Sequence, residues 1–195
     1  MVTLRISTGT FSYKDFAHLF DGPIHVALTN DSIKNLQRSH ERLISKINSG
    51  NTIYGVNTGF GNLSNIKIEP KDQKGLQLNL VRSHASGVGK PLELGLVRSI
   101  LVLKLLTYSK GYSGIRPDLP KKIVQFLNKD ILPVIPEKGS VGASGDLAPL
   151  GHMALALIGE GFVFYEGKKM KTKTALSKAR VKALDLYPKE GLSLT

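Results

Sequence analysis

The chain has 195 residues, of which 41% are apolar and 22% are charged, and both proportions are ordinary for a globular protein. That length predicts one domain, or one and a half, with enough chain to bury a core. The absence of cysteine excludes disulfides and thiolate metal sites and permits a reducing compartment. The formal net charge of +12 is the one unusual bulk property, and it raises the question of a nucleic-acid or membrane-surface partner.

The first thirty residues mix short extended segments with one short helix. The opening MVTLRISTGTFSYKDF has no continuous apolar stretch, so no secretory signal is expected and the protein is predicted to be cytoplasmic. Residues Val2 to Ile6 and Ile24 to Leu28 are typical of short strands, and Tyr13 to Phe20 is typical of a short helix. This region therefore predicts a small mixed α/β start.

Three helices are predicted in the next stretch of the chain. The first is capped by Asp31 or Ser32 and ends at Ser49-Gly50. A second runs from Gly75 to Ser83. The third, Leu94 to Tyr108, is apolar almost all round, which predicts burial on most faces. Arg98 and Lys104 interrupt this apolar segment, so it falls short of a membrane span and no membrane partner is expected.

The second half of the chain predicts two more helices and a hairpin. A helix is expected from Leu119 to Asn128, with Pro120 in its first turn, where proline is tolerated. Another follows Asp146 and ends before Gly159, and Phe162 to Lys171 alternates around a glycine as a small hairpin does. The chain is therefore predicted to be mainly α, with minor β near its start and after residue 161.

The positive charge is concentrated near the end of the chain. Between Lys168 and Lys189 there are eight lysines and arginines, against Glu166, Asp185 and Glu190. A basic nucleic-acid-binding module would explain this charge and predicts salt-dependent retention of DNA or RNA. The stretch has no recognisable groove-reading motif and only Tyr187 as an interleaved aromatic. We therefore interpret it as a solvated basic surface and expect no nucleic-acid partner.

A glycine-rich loop, Gly139 to Gly145, precedes a helix amino terminus. Its three glycines allow positive φ and close backbone approach, and the helix terminus favours negative charge. A phosphate-binding loop would end in Gly-Lys-Ser/Thr, whereas this one ends in Gly145-Asp146-Leu147. The surroundings also lack the βαβ pattern of a dinucleotide site. On spacing alone the loop is most simply a structural turn.

The longer segment Gly142-Ala143-Ser144-Gly145-Asp146-Leu147-Ala148-Pro149-Leu150 resembles the signature of the aromatic amino acid ammonia-lyases. The resemblance implies that Ala143-Ser144-Gly145 cyclises unaided into a methylidene-imidazolone group. The Gly145 nitrogen would attack the Ala143 carbonyl, and loss of two waters would convert Ser144 into an electrophilic methylidene carbon. Gly142 and Asp146 are expected to support the loop, although helix capping alone would explain an aspartate at 146.

Two further segments resemble the same family in the same order. Tyr54 to Gly61, YGVNTGFG, is similar to the loop with the catalytic tyrosine, so Tyr54 is expected to remove the substrate's β-proton. Asn57 and Gly59 are expected to shape that loop and bind substrate. Without the resemblance, Tyr54 would be interpreted as a packing residue. The stretch Gly111 to Arg116 is also similar to the family, and Arg116 is either an ion-pair residue or a contributor to the site.

The segment NLVRSHASGVG resembles the part of the family that contacts the substrate side chain. A Ser-His pair there goes with enzymes that act on histidine, so Ser83 and His84 predict L-histidine as the substrate, deaminated without oxidation to urocanate and ammonia. His-Leu or Phe-Leu at this place goes with tyrosine and phenylalanine enzymes. Alone, His84 would be interpreted as structural or solvated. The other histidines have no metal-ligand spacing, so no metal is expected.

The resemblance also carries expectations about architecture and assembly. It implies a fumarase/aspartase-like ammonia-lyase fold, here truncated, in which residues 1–110 form an amino-terminal domain and residues 111–195 begin a long helical bundle. It implies a homotetramer and no external cofactor. Family members are usually longer, so the chain is expected to be inactive alone. A tyrosine or phenylalanine lyase, an aminomutase of the same family and a non-catalytic scaffold fragment remain as alternatives.

Overall fold

The structure, a computed structural model, describes residues 3–143 and 145–195. Its helices, in chain order, are α1 (Asn30–Asn48), α2 (Pro70–His84), α3 (Leu94–Ser109), α4 (Asp118–Asn128), α5 (Ala148–Leu157), α6 (Thr172–Ala179) and α7 (Glu190–Leu194), with short 3₁₀ turns at Tyr13–Leu19 and Gly61–Leu63. The predicted mainly α class is confirmed. No helix in the described part of the chain has both the length and the apolarity needed to cross a bilayer.

The strands of the described residues are short and form four small sheets. They are β1 (Thr3–Ile6), β2 (His25–Leu28), β3 (Val88–Pro91), β4 (Leu132–Pro133), β5 (Pro136–Lys138), β6 (Val141–Gly142), β7 (Gly145–Asp146), β8 (Phe162–Tyr165) and β9 (Lys168–Lys171). β1 and β2 are parallel neighbours, whereas β3–β5, β4–β8–β9 and β6–β7 pair antiparallel. The predicted hairpin around Gly167 is confirmed.

One buried cluster joins the helices. Its members come from most elements and include Leu36, Val81, Leu101, Leu105, Phe126, Met153, Leu157, Leu176 and Leu194. These side chains come from both sides of residue 110, so the described core is continuous across that position. The division of the chain into two domains at residue 110 stays a prediction.

One sequence-based expectation about a helix was wrong. α1 begins at Asn30, because Thr29 and neither Asp31 nor Ser32 is the cap, and its hydroxyl accepts the amide of Ser32 at 3.3 Å. The expectation that α3 is buried on most faces is confirmed, because its exposed residues Leu96, Leu103 and Thr107 lie along one narrow stripe. Its charged residue Arg98 is also buried, and it pairs with Asp130.

Candidate active site

The tyrosine loop between α1 and α2 is held closed by its own side chains. Asn57 is buried, and its amide oxygen accepts the N–H of Ile53 at 2.7 Å while its amide nitrogen donates to the carbonyl of Asn51 at 2.8 Å. The hydroxyl of Thr58 accepts the Gly55 amide at 3.0 Å. Both polar ends of Asn57 therefore make a hydrogen bond within the loop, which supports its expected role in shaping the loop, and substrate binding by Asn57 stays a prediction.

Gly59 has a steric reason for its place in the same loop. A Cβ atom there would lie 2.6 Å from the Cβ of Leu63 and 2.7 Å from its carbonyl oxygen. Real Cβ atoms do not approach so closely, so any larger residue would push the loop off the following 3₁₀ turn. Gly59 accordingly shapes the loop, one of the two roles expected for it.

Tyr54 lies on the rim of this loop with 56% of its surface exposed. Its ring meets the ring of Phe60 edge-on, with centroids 5.9 Å apart and an interplanar angle of 85°. Its hydroxyl accepts the amide N–H of Gly61 at 3.4 Å. The edge-on packing fixes the ring while the hydroxyl end remains accessible, as a proton-accepting group requires.

Ser83 and His84 form the last turn of α2. The Nδ1 atom of His84 lies 2.8 Å from the carbonyl oxygen of Leu80, and the Ser83 hydroxyl donates to the same oxygen at 2.9 Å. A carbonyl oxygen can only accept, so Nδ1 carries the proton in this pair. In the tautomer with its single proton on Nδ1, Nε2 is the hydrogen-bond acceptor.

The glycine-rich loop that precedes α5 is a tight hairpin of β6 and β7. Val141 pairs with Asp146 and Gly142 pairs with Gly145, whose φ of 91° is a conformation that favours glycine. The Asp146 carboxylate accepts the amide of Ala148 at 3.2 Å, so it does bind the start of the helix. Ser144, the predicted electrophile, lies outside the described residues.

The end of α2 and the β6–β7 hairpin line one cleft. This cleft has a volume of about 340 Å³. Its lining residues are Ser83, His84, Ser86, Ser140, Gly142, Ala143, Gly145, Leu147 and Ala148. Tyr54, Asn57 and Gly59 are not among them. A larger groove of about 770 Å³ runs along α4 and is lined by Arg116 but by none of the other predicted site residues, so its size alone is no argument for function.

Two residues of α5 fix the cleft by holding α2 against α5. A Cβ at Gly151 would lie 2.8 Å from the carbonyl carbon of His84, so the helices meet backbone to backbone. The next residue, His152, accepts the Gly87 amide on Nε2 at 3.0 Å, and burial lowers its pKa. No role was predicted for His152, and nothing in the local pattern signals this contact, because its partner lies 65 residues away.

Comparisons with known proteins identify the family of this chain. The model of the aromatic amino acid lyase family matches residues 11–195. The chain belongs to the aromatic amino acid lyase family. It is 44% identical over 194 residues to the histidine ammonia-lyase of Bacillus subtilis, with 100% of this chain and 38% of that protein covered. It is 49% identical over 169 residues to the histidine ammonia-lyase of Geobacillus thermodenitrificans, with 87% of this chain and 34% of that protein covered.

Solved structures of lyases and aminomutases share the fold of this family member. Histidine ammonia-lyase from Trypanosoma cruzi matches with a TM-score of 0.90 and 31% identity, over 99% of this chain and 37% of that one. Tyrosine aminomutase from Streptomyces globisporus matches with a TM-score of 0.91 and 36% identity, over 99% of this chain and 36% of that one. The chain thus spans little more than a third of the length of these relatives.

Proposed function

We propose that this chain is the amino-terminal part of a histidine ammonia-lyase, which converts L-histidine to urocanate and ammonia without oxidation. The observation that carries the proposal is the shared cleft of Ser83 and His84 with Gly142, Ala143 and Gly145. It brings an imidazole suited to a substrate ring beside the loop expected to supply the electrophile. Relatives named histidine ammonia-lyase, 42–51% identical to the chain, support the same substrate.

The residues of the hairpin fit a methylidene-imidazolone group made from Ala143, Ser144 and Gly145. The Gly142–Gly145 pair closes a very short hairpin, and a Cβ at either glycine would meet no atom within 4 Å. Only two residues separate the paired glycines, a short connection that suits ring closure between the amide of Gly145 and the carbonyl of Ala143. Such a ring supplies an electrophilic carbon, which no ordinary side chain offers. The proposal involves no metal and no external cofactor.

The side chains of the chain have separate tasks in this proposal. His84 accepts a hydrogen bond on Nε2 from an N–H of the substrate imidazole and so orients the β-carbon. The Tyr54 hydroxyl, deprotonated, takes the β-proton. The 56% exposure of Tyr54 and its place outside the cleft mean that other parts of the protein must close the site around it. We accordingly propose that the chain is inactive alone, and that the full-length protein is a cytoplasmic homotetramer.

Turnover of three amino acids tests the substrate. A full-length lyase that begins with this sequence is expected to form urocanate from L-histidine and to leave L-tyrosine and L-phenylalanine largely unchanged. His84→Leu should lower kcat/KM for histidine about 10-fold or more, because the unpaired substrate nitrogen loses a hydrogen bond worth about 1–3 kcal/mol. Ser83→Ala, which keeps the ring, is the matched control and should have a smaller effect. Faster turnover of tyrosine or phenylalanine by the unmodified protein would overturn the proposal.

A further inference from the structure

A fully buried glutamine lies in the middle of α2. Gln77 has no exposed surface, and its amide uses both ends on different parts of the chain. Its Nε2 donates to the carbonyl of Gly55 at 3.0 Å, and its Oε1 accepts the amide of Leu192 at 3.0 Å. A buried amide is costly unless its polar atoms are paired, so this arrangement holds three segments in a fixed relation.

Two glycines near Gln77, Gly55 and Gly191, have no space for a side chain. At Gly55, where φ is 66°, a Cβ would lie 2.7 Å from the ring of Phe60 and 2.8 Å from the side chain of Leu192. At Gly191 a Cβ would lie 2.5 Å from the carbonyl oxygen of Gln77. α7 therefore meets α2 at backbone distance, and the tyrosine loop packs against Leu192 of α7, with the Gln77 amide bonded to both.

This joint lies on the same helix as the substrate-recognition pair. Gln77 precedes His84 by seven residues, which is about two turns or roughly 10.5 Å along an α-helix. Gly55, the partner of Gln77, directly follows Tyr54 in the chain. A rigid helix thus connects the proposed proton acceptor, through one hydrogen bond, to the proposed contact with the substrate ring.

We propose that Gln77 is a positioning residue that sets Tyr54 at its working distance from Ser83 and His84. The inference rests on the proposed function, because it assumes that Tyr54 removes a proton from a substrate bound at His84. Gln77 itself touches neither. Losing its bond to Gly55 releases the tyrosine loop while α2, with the recognition pair, keeps its place.

The test compares two buried glutamines of α2 in the full-length lyase. Gln77→Leu is expected to lower kcat for histidine by about 10- to 100-fold with little change in KM, because a displaced proton acceptor slows the chemical step more than binding. Gln73 is the control, since it is also buried but donates at 3.2 Å to Ile68, just before its own helix. Gln73→Leu should lower Tm and leave kcat near the original value. An unchanged kcat in Gln77→Leu, or equal losses in both variants, would overturn the inference.

The variant Gln77→Glu tests whether kcat depends on the hydrogen-bond donor at this position, because a general packing defect would not be reversed by protonation of the carboxyl. When protonated, the carboxyl introduced by Gln77→Glu can donate to the Gly55 carbonyl, whereas the ionised form cannot. The kcat of this variant relative to the unmodified lyase is therefore expected to recover as pH falls, while that of Gln77→Leu stays low. Equal ratios for the two variants at every pH would contradict a role for the donor.

A measurement without turnover separates this inference from the proposed function. In the 195-residue chain, NMR signals of the Tyr54 ring and the Gly55 amide should shift in Gln77→Leu and stay in place in Gln73→Leu. If the full-length lyase fails to act on histidine while these shifts appear, the function is wrong and the positioning of Tyr54 by Gln77 stands. If histidine is turned over and the signals do not move, the positioning role is wrong.

Discussion

The guanidinium of Arg116 donates two hydrogen bonds of 2.9 Å to the carboxylate of Glu190, from Nε to Oε1 and from Nη2 to Oε2. Glu190 is only 1% exposed, and it also accepts the amide of Tyr187. Burial lowers the pKa of Arg116, but the hydrogen bonds and charge of Glu190 outweigh it and raise the pKa overall. Arg116 is therefore an ion-pair residue that joins the start of α7 to the loop before α4.

Breaking this pair should destabilise the chain strongly. Glu190→Gln leaves a partly buried guanidinium without its counter-charge, and the free energy of unfolding is expected to fall by about 3 kcal/mol. Asp118→Asn is the matched control, because it removes the exposed carboxylate 3.7 Å from the same guanidinium and should cost under about 1 kcal/mol. Urea denaturation measures both, and similar losses in the two variants would contradict the assignment.

Filling the contact between α2 and α5 should disturb the cleft. In Gly151→Ala the added methyl meets the backbone of His84 and Ala85, so the variant is expected to lose about 1–3 kcal/mol and to shift the NMR signals of His84. Gly75→Ala is its counterpart, since a Cβ there enters open space on α2 and should stabilise the helix by about 0.5–1 kcal/mol. Stabilisation by both substitutions would mean that the helices do not meet as described.

Acid should weaken the chain through His152. Burial lowers its pKa below the ordinary 6.5, so the unfolded chain binds a proton more readily than the folded one. The stabilisation it provides is complete above pH 6.5 and is lost as pH falls from there through the folded pKa. Tm is therefore expected to fall less steeply in this window for His152→Gln than for the unmodified chain. Parallel curves would contradict the buried, neutral state of His152.

Raising the pH should, in contrast, stabilise the chain through Lys104. Burial lowers its pKa from 10.5 to about 8, and its ammonium donates to the carbonyl of Ser193 at 2.9 Å. Between these two values the unfolded chain holds the proton more tightly, so this residue makes stability rise with pH. The unfolding free energy of Lys104→Met, compared with that of the unmodified chain between pH 8 and 10, should lack this rise. A rise of equal size in both proteins would contradict the lowered pKa.

Several elements were predictable because their signals are local. Pro120 and Pro149 lie in the first turns of α4 and α5, and Gly167 turns the β8–β9 hairpin. α2 was expected from Gly75, yet it begins five residues earlier at Pro70, itself an N-terminal helix residue. α6 was missed, because its buried positions are Thr172, Ala175, Leu176 and Ala179, and with only one large apolar side chain among them the helical stripe is weak in the sequence.

The parts of the candidate site that could be predicted are those formed by residues adjacent in the sequence. The resemblance to the family predicts that Ser83 and His84 share a site with the loop of the β6–β7 hairpin. It does not predict the hydrogen bonds that hold this site together. Gln77 meets Leu192 across 115 residues and Gly55 across 22. A buried glutamine in a helix is indistinguishable from a solvated one in a single sequence, since only the fold brings its partners together.

The intact mass of the purified 195-residue chain tests the central claim most directly. We expect a deficit of two waters, mapped to the peptide that contains Ala143, Ser144 and Gly145, because only two residues separate the paired glycines Gly142 and Gly145. Ser144→Ala should show the full, unmodified mass. A folded chain that retains both waters would contradict the claim that this hairpin makes its own electrophile.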